Sequence, residues 1–232
     1  MKFTTLLFDA DGTLPDFDAT EKRALQRVFD LHHYPLTNEM KKRYQDINAQ
    51  LWSAYEEGEI SREAVIYTRF GKLFREFGIA DDGIAFEDIY QKELGRGHDM
   101  IPHAMEVVRR LYPQYRMCIV TNGVVATQYA RLRDSGLDAY FHHMFVSEEI
   151  GFRKPDRSYF DLCFARLNGA KRNRTLIIGD SLSSDMQGGI NAGISTCWYN
   201  PDGKKNHKQL PLTYEIRDLR ELYTILEEEN DG

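Results

Sequence analysis

Two carboxylates two residues apart close the first apolar run of the chain, Phe3-Thr-Thr-Leu-Leu-Phe-Asp9-Ala-Asp11-Gly12-Thr13-Leu14. Side chains of an extended strand alternate faces, so positions i and i+2 point the same way. Gly12 then lets the backbone turn away, because glycine adopts angles closed to other residues. Asp9 and Asp11 therefore share one small site, one suited to nucleophilic attack or metal ligation and the other to acid/base work. Like charges this close need a cation or a proton to offset them, and a divalent metal is the first candidate. An EF-hand calcium loop needs glycine at its sixth position and glutamate at its twelfth. Counted from Asp9, those positions hold Leu14 and Thr20, which excludes it. A polar turn closing a strand is the competing explanation, and the rest of the chain decides between them.

Three more segments carry chemistry-bearing residues. Thr121-Asn122-Gly123 follows the apolar run Arg116-Met-Cys-Ile-Val, and its hydroxyl and backbone N–H groups at a helix start suit a phosphate. Gly179-Asp180-Ser181, with Asp185 a helical turn further on, follows Arg174-Thr-Leu-Ile-Ile. Lys154 precedes Pro155, which keeps it out of the helical region, in a loop ahead of Asp156 and a helix. Taken singly these are a turn, a helix cap and a surface lysine. Their common position, at the ends of strand-like runs, is what makes them informative.

The elements that must position them alternate in type. Strand patterns at residues 3–8, 116–120, 144–146, 174–178 and 195–199 are separated or followed by helical patterns near 103–112, 125–135, 157–168, 184–192 and 218–228. Several strands are continuously apolar, as in a parallel sheet covered on both faces. The expected fold is an α/β, doubly wound parallel-sheet core with right-handed crossovers. In such folds ligands bind beyond the carboxyl ends of the strands. Residues 17–95 contain no strand pattern, and segments 18–32, 39–57 and 61–77 read as amphipathic helices with another after Gly83. The expected division is an α/β core of residues 1–15 and 97–232 with a helical cap domain of residues 16–96.

Composition narrows the function classes. The chain has 232 residues, 42% of them apolar, enough for a substantial core, and a formal net charge of -6 that argues against a nucleic-acid polymer as partner. Cys118, Cys163 and Cys197 lack metal-ligand spacing and read as buried reduced thiols. No signal-peptide pattern or membrane-length apolar run is present. The expectation is a soluble cytoplasmic protein, monomer or homodimer, with a solvated acidic tail at residues 227–232.

Together, Asp9-x-Asp11-Gly-Thr13, Thr121-Asn-Gly, Lys154-Pro and Gly-Asp180 followed by Asp185 resemble the motifs of the haloacid-dehalogenase superfamily, in order along the chain. The helical block occupies the place of that family's first cap type. Phe8-Asp-Ala-Asp-Gly-Thr-Leu, Val146-Ser-Glu-Glu-Ile-Gly and Ile190-Asn-Ala-Gly-Ile-Ser-Thr-Cys-Trp look like its pyrimidine 5′-nucleotidase branch. The resemblance implies a Mg²⁺-dependent phosphomonoester hydrolase with a small-molecule substrate. In it Asp9 is the nucleophile and Asp11 the acid/base. Lys154 offsets charge, and Thr121, Asn122 and Gly123, with Lys154, hold the phosphate. Mg²⁺ is held by Asp9, the Asp11 carbonyl and Asp180, with Asp185 in the outer shell. Members with dehalogenase chemistry lack an aspartate at the position of Asp11. A sugar-phosphate phosphatase or phosphomutase is the enzymatic alternative, and a catalytically silent binding protein the other. In the helical block Phe17, Trp52, Tyr55 and Tyr67 have the chemistry to stack on a base, and Asn48 or Arg62 to bond its edge. Aromatics at helical spacing are nonetheless more often core.

Overall fold

The computed structural model describes residues 2–228, so the expected acidic tail lies outside the described residues from Glu229 on. The chain divides into two compact units, Met1–Phe17 with His98–Gly232, and Asp18–Gly97. Six strands form the sheet: β1 (Thr5–Phe8), β2 (Arg116–Thr121), β3 (His143–Val146), β4 (Thr175–Gly179), β5 (Ser195–Tyr199) and β6 (Tyr214–Ile216). The helices are α1 (Phe17–Leu31), α2 (Asn38–Glu57), α3 (Arg62–Phe77) and α4 (Ile84–Gly95) between β1 and β2, then α5 (Ala104–Leu111). After β2 come α6 (Val125–Ser135), α7 (Ser147–Ile150), α8 (Arg157–Arg166), α9 (Gln187–Ala192) and α10 (Glu221–Glu228).

The strands lie in the order β3-β2-β1-β4-β5-β6, and every neighbouring pair is parallel. The order is that of a doubly wound sheet whose direction of winding reverses beside β1. Alternation along each strand divides its side chains between two cores. Leu6, Phe8, Met117, Ile119, Leu176 and Ile178 join Val107, Val108, Leu222 and Leu226 of α5 and α10 on one face. Leu7, Cys118, Val120 and Ile177 join Tyr159, Phe160 and Cys163 of α8 on the other. The expected α/β architecture is present, and the five expected strands form with ends shifted by at most two residues. β6 was not expected from sequence: three residues, with Glu215 exposed between its neighbours, are too short to show a period. The single helix expected at 184–192 is instead a π-helical turn, Leu182–Met186, running into α9. All three cysteines are buried thiols, and burial pushes Cys118 and Cys163 up to about 12. Among the described residues no helix is long and apolar enough to cross a membrane.

The second unit is helical. The hydroxyls of Thr37 and Ser61 accept the N–H groups of Met40 and Ala64, which starts α2 and α3 where the sequence places polar caps. Phe29, Phe70, Phe74 and Phe86 pack edge-on or tilted, with ring centroids 4.6 to 6.1 Å apart. Beside them runs a buried polar chain joining all four helices. Arg69 donates to both oxygens of Glu87 at 2.8 and 2.6 Å and to Oδ1 of Asn48 at 2.9 Å. Asn48 Nδ2 in turn donates to Glu21 at 3.2 Å. Breaking such a pair leaves a buried charge without its partner. Arg69→Met is expected to destabilise the protein by about 3–5 kcal/mol, while Arg69→Met with Glu87→Leu recovers most of the loss. Urea unfolding of the three proteins checks this; equal losses in the single and double variants would contradict it.

Candidate active site

The carboxyl edge of the sheet gathers four charged side chains. Asp9 follows β1 directly, and its N–H donates to the Ile178 carbonyl at 2.8 Å, so β4 sets its height. The Lys154 ammonium donates to Asp9 Oδ1 at 2.5 Å, Asp185 Oδ1 at 2.6 Å and the Val120 carbonyl at 2.8 Å. Its three protons are thus all used, and the side chain is only 1% exposed. Burial alone would push this ammonium down; Asp185 and Asp9 outweigh it and hold it above its ordinary value. Asp9 is raised well above the usual carboxylate range by burial first and Asp185 second, with Lys154 opposing.

Asp180 follows β4 in the same way. Carboxylate oxygens of Asp9, Asp180 and Asp185 all lie within 4.8 Å of one another. The surrounding protein and then Asp185 push Asp180 up to about 7, although its side chain is open to solvent, which moderates the first effect. Thr13 donates its hydroxyl to Asp180 Oδ1 at 3.4 Å. Gly12 has φ +81°, and a Cβ there would stand 2.7 Å from Asp180 Oδ2. The glycine is needed both for its left-handed backbone and for the space Asp180 occupies. Asp185, on the π-helical turn, accepts the Ser181 N–H at 3.1 Å.

The loop after β2 holds the lysine in place. Asn122 Nδ2 donates to the Lys154 carbonyl, and its Oδ1 accepts the Lys154 N–H, both at 2.9 Å. The Thr121 hydroxyl accepts the Gly123 N–H at 3.0 Å. Asp156 stands at the N-cap position of α8, but its side chain makes no capping bond. Asp11 has different partners. Its Oδ1 accepts from Arg131 and its Oδ2 from Gln128 Nε2 at 2.5 Å, both donors on α6.

Two carboxylates two residues apart thus have separate cationic partners: Asp9 a lysine, Asp11 an arginine. Residues 3–193 match the family profile of haloacid dehalogenase-like hydrolases. The chain belongs to that family. It is 48% identical over 229 residues to YfnB of Bacillus subtilis, named as a HAD-hydrolase, covering 99% of this chain and 97% of YfnB. An orthorhombic crystal structure of YfnB bound to magnesium matches with a TM-score of 0.94, covering 97% of this chain and 99% of that one. The pyrimidine 5′-nucleotidase PynA of Streptococcus pneumoniae is 37% identical over 228 residues, 98% of this chain and 96% of PynA. The pyrimidine 5′-nucleotidase YjjG of Escherichia coli is 31% identical over 226 residues, 97% of this chain and 99% of YjjG.

In this hydrolase the clustered carboxylates have a donor set that fits a divalent cation. Asp9, Asp180 and Asp185 are hard oxygen donors, and one ammonium leaves the three with excess negative charge. Burial first, and repulsion from Asp185 second, raise both Asp9 and Asp180. Of the sequence-expected residues, Asp9, Lys154, Asp180 and Asp185 form one cluster, Asn122 ties down the Lys154 backbone, and Thr121 bonds Gly123. Asp11 stands on its own contacts.

Sequence reading missed Gln128 and Arg131. Their signal was present: polar residues at i and i+3 among the buried positions of α6, where an apolar face belongs. In the helical unit, both polar ends of the Asn48 side chain are engaged internally, Tyr55 is buried with Trp52 edge-on to it at 5.7 Å, and Tyr67 is 45% exposed.

Proposed function

We propose that this hydrolase is a Mg²⁺-dependent phosphomonoesterase that acts through an aspartyl-phosphate on Asp9, with pyrimidine nucleoside 5′-monophosphates as substrates. The observation that carries the reading is the pair of carboxylates with different surroundings, Asp9 against Lys154 and Asp11 against Arg131. Similarity to PynA and YjjG over almost the whole chain supports the substrate class.

Asp9 Oδ attacks phosphorus while the bond from phosphorus to the ester oxygen breaks, and Asp11 gives its proton to the departing alkoxide. Asp11 then takes a proton from a water that attacks the same phosphorus, the bond to Asp9 breaks, and inorganic phosphate leaves. Lys154 offsets charge on Asp9 and the phosphoryl oxygens, with Thr121 and the Asn122-Gly123 backbone holding those oxygens. Asp9, the Asp11 carbonyl and Asp180 would hold Mg²⁺, with Asp185 orienting its waters. When bound, the ion neutralises phosphoryl charge.

Phosphate release from a panel of nucleotides and sugar phosphates with Mg²⁺ tests the reading. Selective turnover of pyrimidine 5′-monophosphates is the expected result. Preference for sugar phosphates would keep the chemistry and remove the substrate; no turnover of any ester would overturn both.

Metal binding has its own readout. The metal-free folded protein holds protons on Asp9 and Asp180 above the usual carboxylate range, so their stabilising contribution is present at low pH and lost as pH rises through about 7 for Asp180. A metal must displace those protons. Mg²⁺ at ~100 times its Kd is therefore expected to raise Tm by about 5–10 °C near pH 8 and by clearly less near pH 5. Asp180→Asn removes most of the gain. A shift independent of pH, or undiminished in that variant, would place the ion elsewhere.

A further inference from the structure

Two side chains of α6 have no part in the chemistry above, yet they are among the least exposed polar groups in the protein. Gln128 is 2% exposed and Arg131 0%. Burying an arginine is costly unless its charge is met, and here it is met by Asp11. Gln128, three residues earlier on the same face of the helix, donates to the other oxygen of that carboxylate at 2.5 Å. One buried donor on each oxygen sets both the position and the plane of the group. Asp11 lies just ahead of the Gly12 turn, and its side chain is 28% exposed. Arg131 is confined on a further side, with its guanidinium 5.5 Å from the centroid of the Phe17 ring.

Gly123 enters the same arrangement. A Cβ at this position would lie 2.3 Å from Gln128 Nε2 and 2.9 Å from both Cδ and Cγ. A glycine here leaves the space through which the Gln128 amide reaches Asp11. The end of β2 and the segment after it thus connect two parts of the site, with Thr121 closing the strand and the donors to Asp11 on the helix that follows.

We propose that Gln128 and Arg131 are positioning residues for the Asp11 carboxylate, and that Gly123 serves by making room for Gln128. The proposal rests on the reading of Asp11 as the proton donor to the leaving alkoxide. It predicts a loss confined to esters that need that proton. An alkyl phosphate expels a strongly basic alkoxide and depends on the donor; p-nitrophenyl phosphate expels a weakly basic phenolate and does not.

The experiment measures kcat/KM, which covers the steps up to departure of the leaving group, for the best alkyl phosphate of the panel and for p-nitrophenyl phosphate. In Gln128→Met and Arg131→Met the alkyl value is expected to fall by about 10²-fold, with the aryl value within about 3-fold of wild type. Both esters are assayed on one preparation, so their ratio is unaffected by the fraction of a variant that is folded. Asp11→Asn serves as the reference and should show the same bias. If it does while the Gln128 and Arg131 variants lose both esters equally, or neither, the positioning role is overturned and the assignment of Asp11 stands. If Asp11→Asn itself shows no bias, the acid assignment falls and the positioning role with it.

Discussion

Asp9→Asn is expected to lower phosphate release by about 10⁴-fold or more while leaving the protein folded and as stable as wild type, or more so. An amide nitrogen or oxygen does not form the acyl-phosphate, and loss of a nucleophile removes the covalent route entirely. The stability half of the expectation comes from the site itself. Asp9 is raised by burial and by repulsion from Asp185, so its charge opposes folding in metal-free protein. An amide of the same shape relieves that repulsion and keeps one acceptor for Lys154. Steady-state phosphate release and a metal-free melting curve test both halves. Activity near the wild-type level would end the covalent mechanism. A large fall in Tm would mean that the Lys154–Asp9 pair is net stabilising.

The second large effect concerns the cation. In Lys154→Met, Asp9 and Asp185 face each other with no ammonium between them. Removing one partner of a buried ion cluster costs about 3–5 kcal/mol, or roughly 10 °C in Tm for a chain of this length. Turnover is expected to fall by about 10²–10³-fold or more, the scale of losing one preorganised charge-stabilising group. The sign of the pH dependence follows. The stability deficit is full where Asp9 is ionised, and it shrinks as pH falls and Asp9, held above the usual carboxylate range by burial and then Asp185, takes up its proton. Adding Asp185→Asn to Lys154→Met should restore much of the stability and none of the turnover. If the double variant regained activity, Lys154 would be a structural counter-ion only.

Much of this protein is legible locally. Runs such as Thr5–Phe8 and Leu176–Gly179 are apolar on both faces, so they announce central parallel strands, and α2 and α3 begin where Thr37 and Ser61 stand ready to cap them. β6 is the counter-example: Tyr214–Ile216 becomes a strand because β5 offers it an edge, and nothing within three residues says so. The π-helical turn at Leu182–Met186 is likewise tertiary in origin. It carries Asp185 to Lys154, and a Cβ on Gly179 would fall 2.3 Å from the Asp185 carboxyl carbon.

The sequence by itself determined that Asp9, Thr121 and Asp180 stand at the carboxyl edge, because each directly ends or follows a strand whose pattern is local, and parallel pairing brings those ends together. What each acid faces was decided only by the tertiary structure. Lys154 meets Asp9 from 145 residues away, and Arg131 and Gln128 meet Asp11 from 120 and 117. Those partners are chosen by the register of β1 between β2 and β4 and by the rotation of α6 against the sheet. Neither is a property of any segment alone, so a polar residue on a buried helix face reads as an anomaly until the carboxylate opposite it is in view.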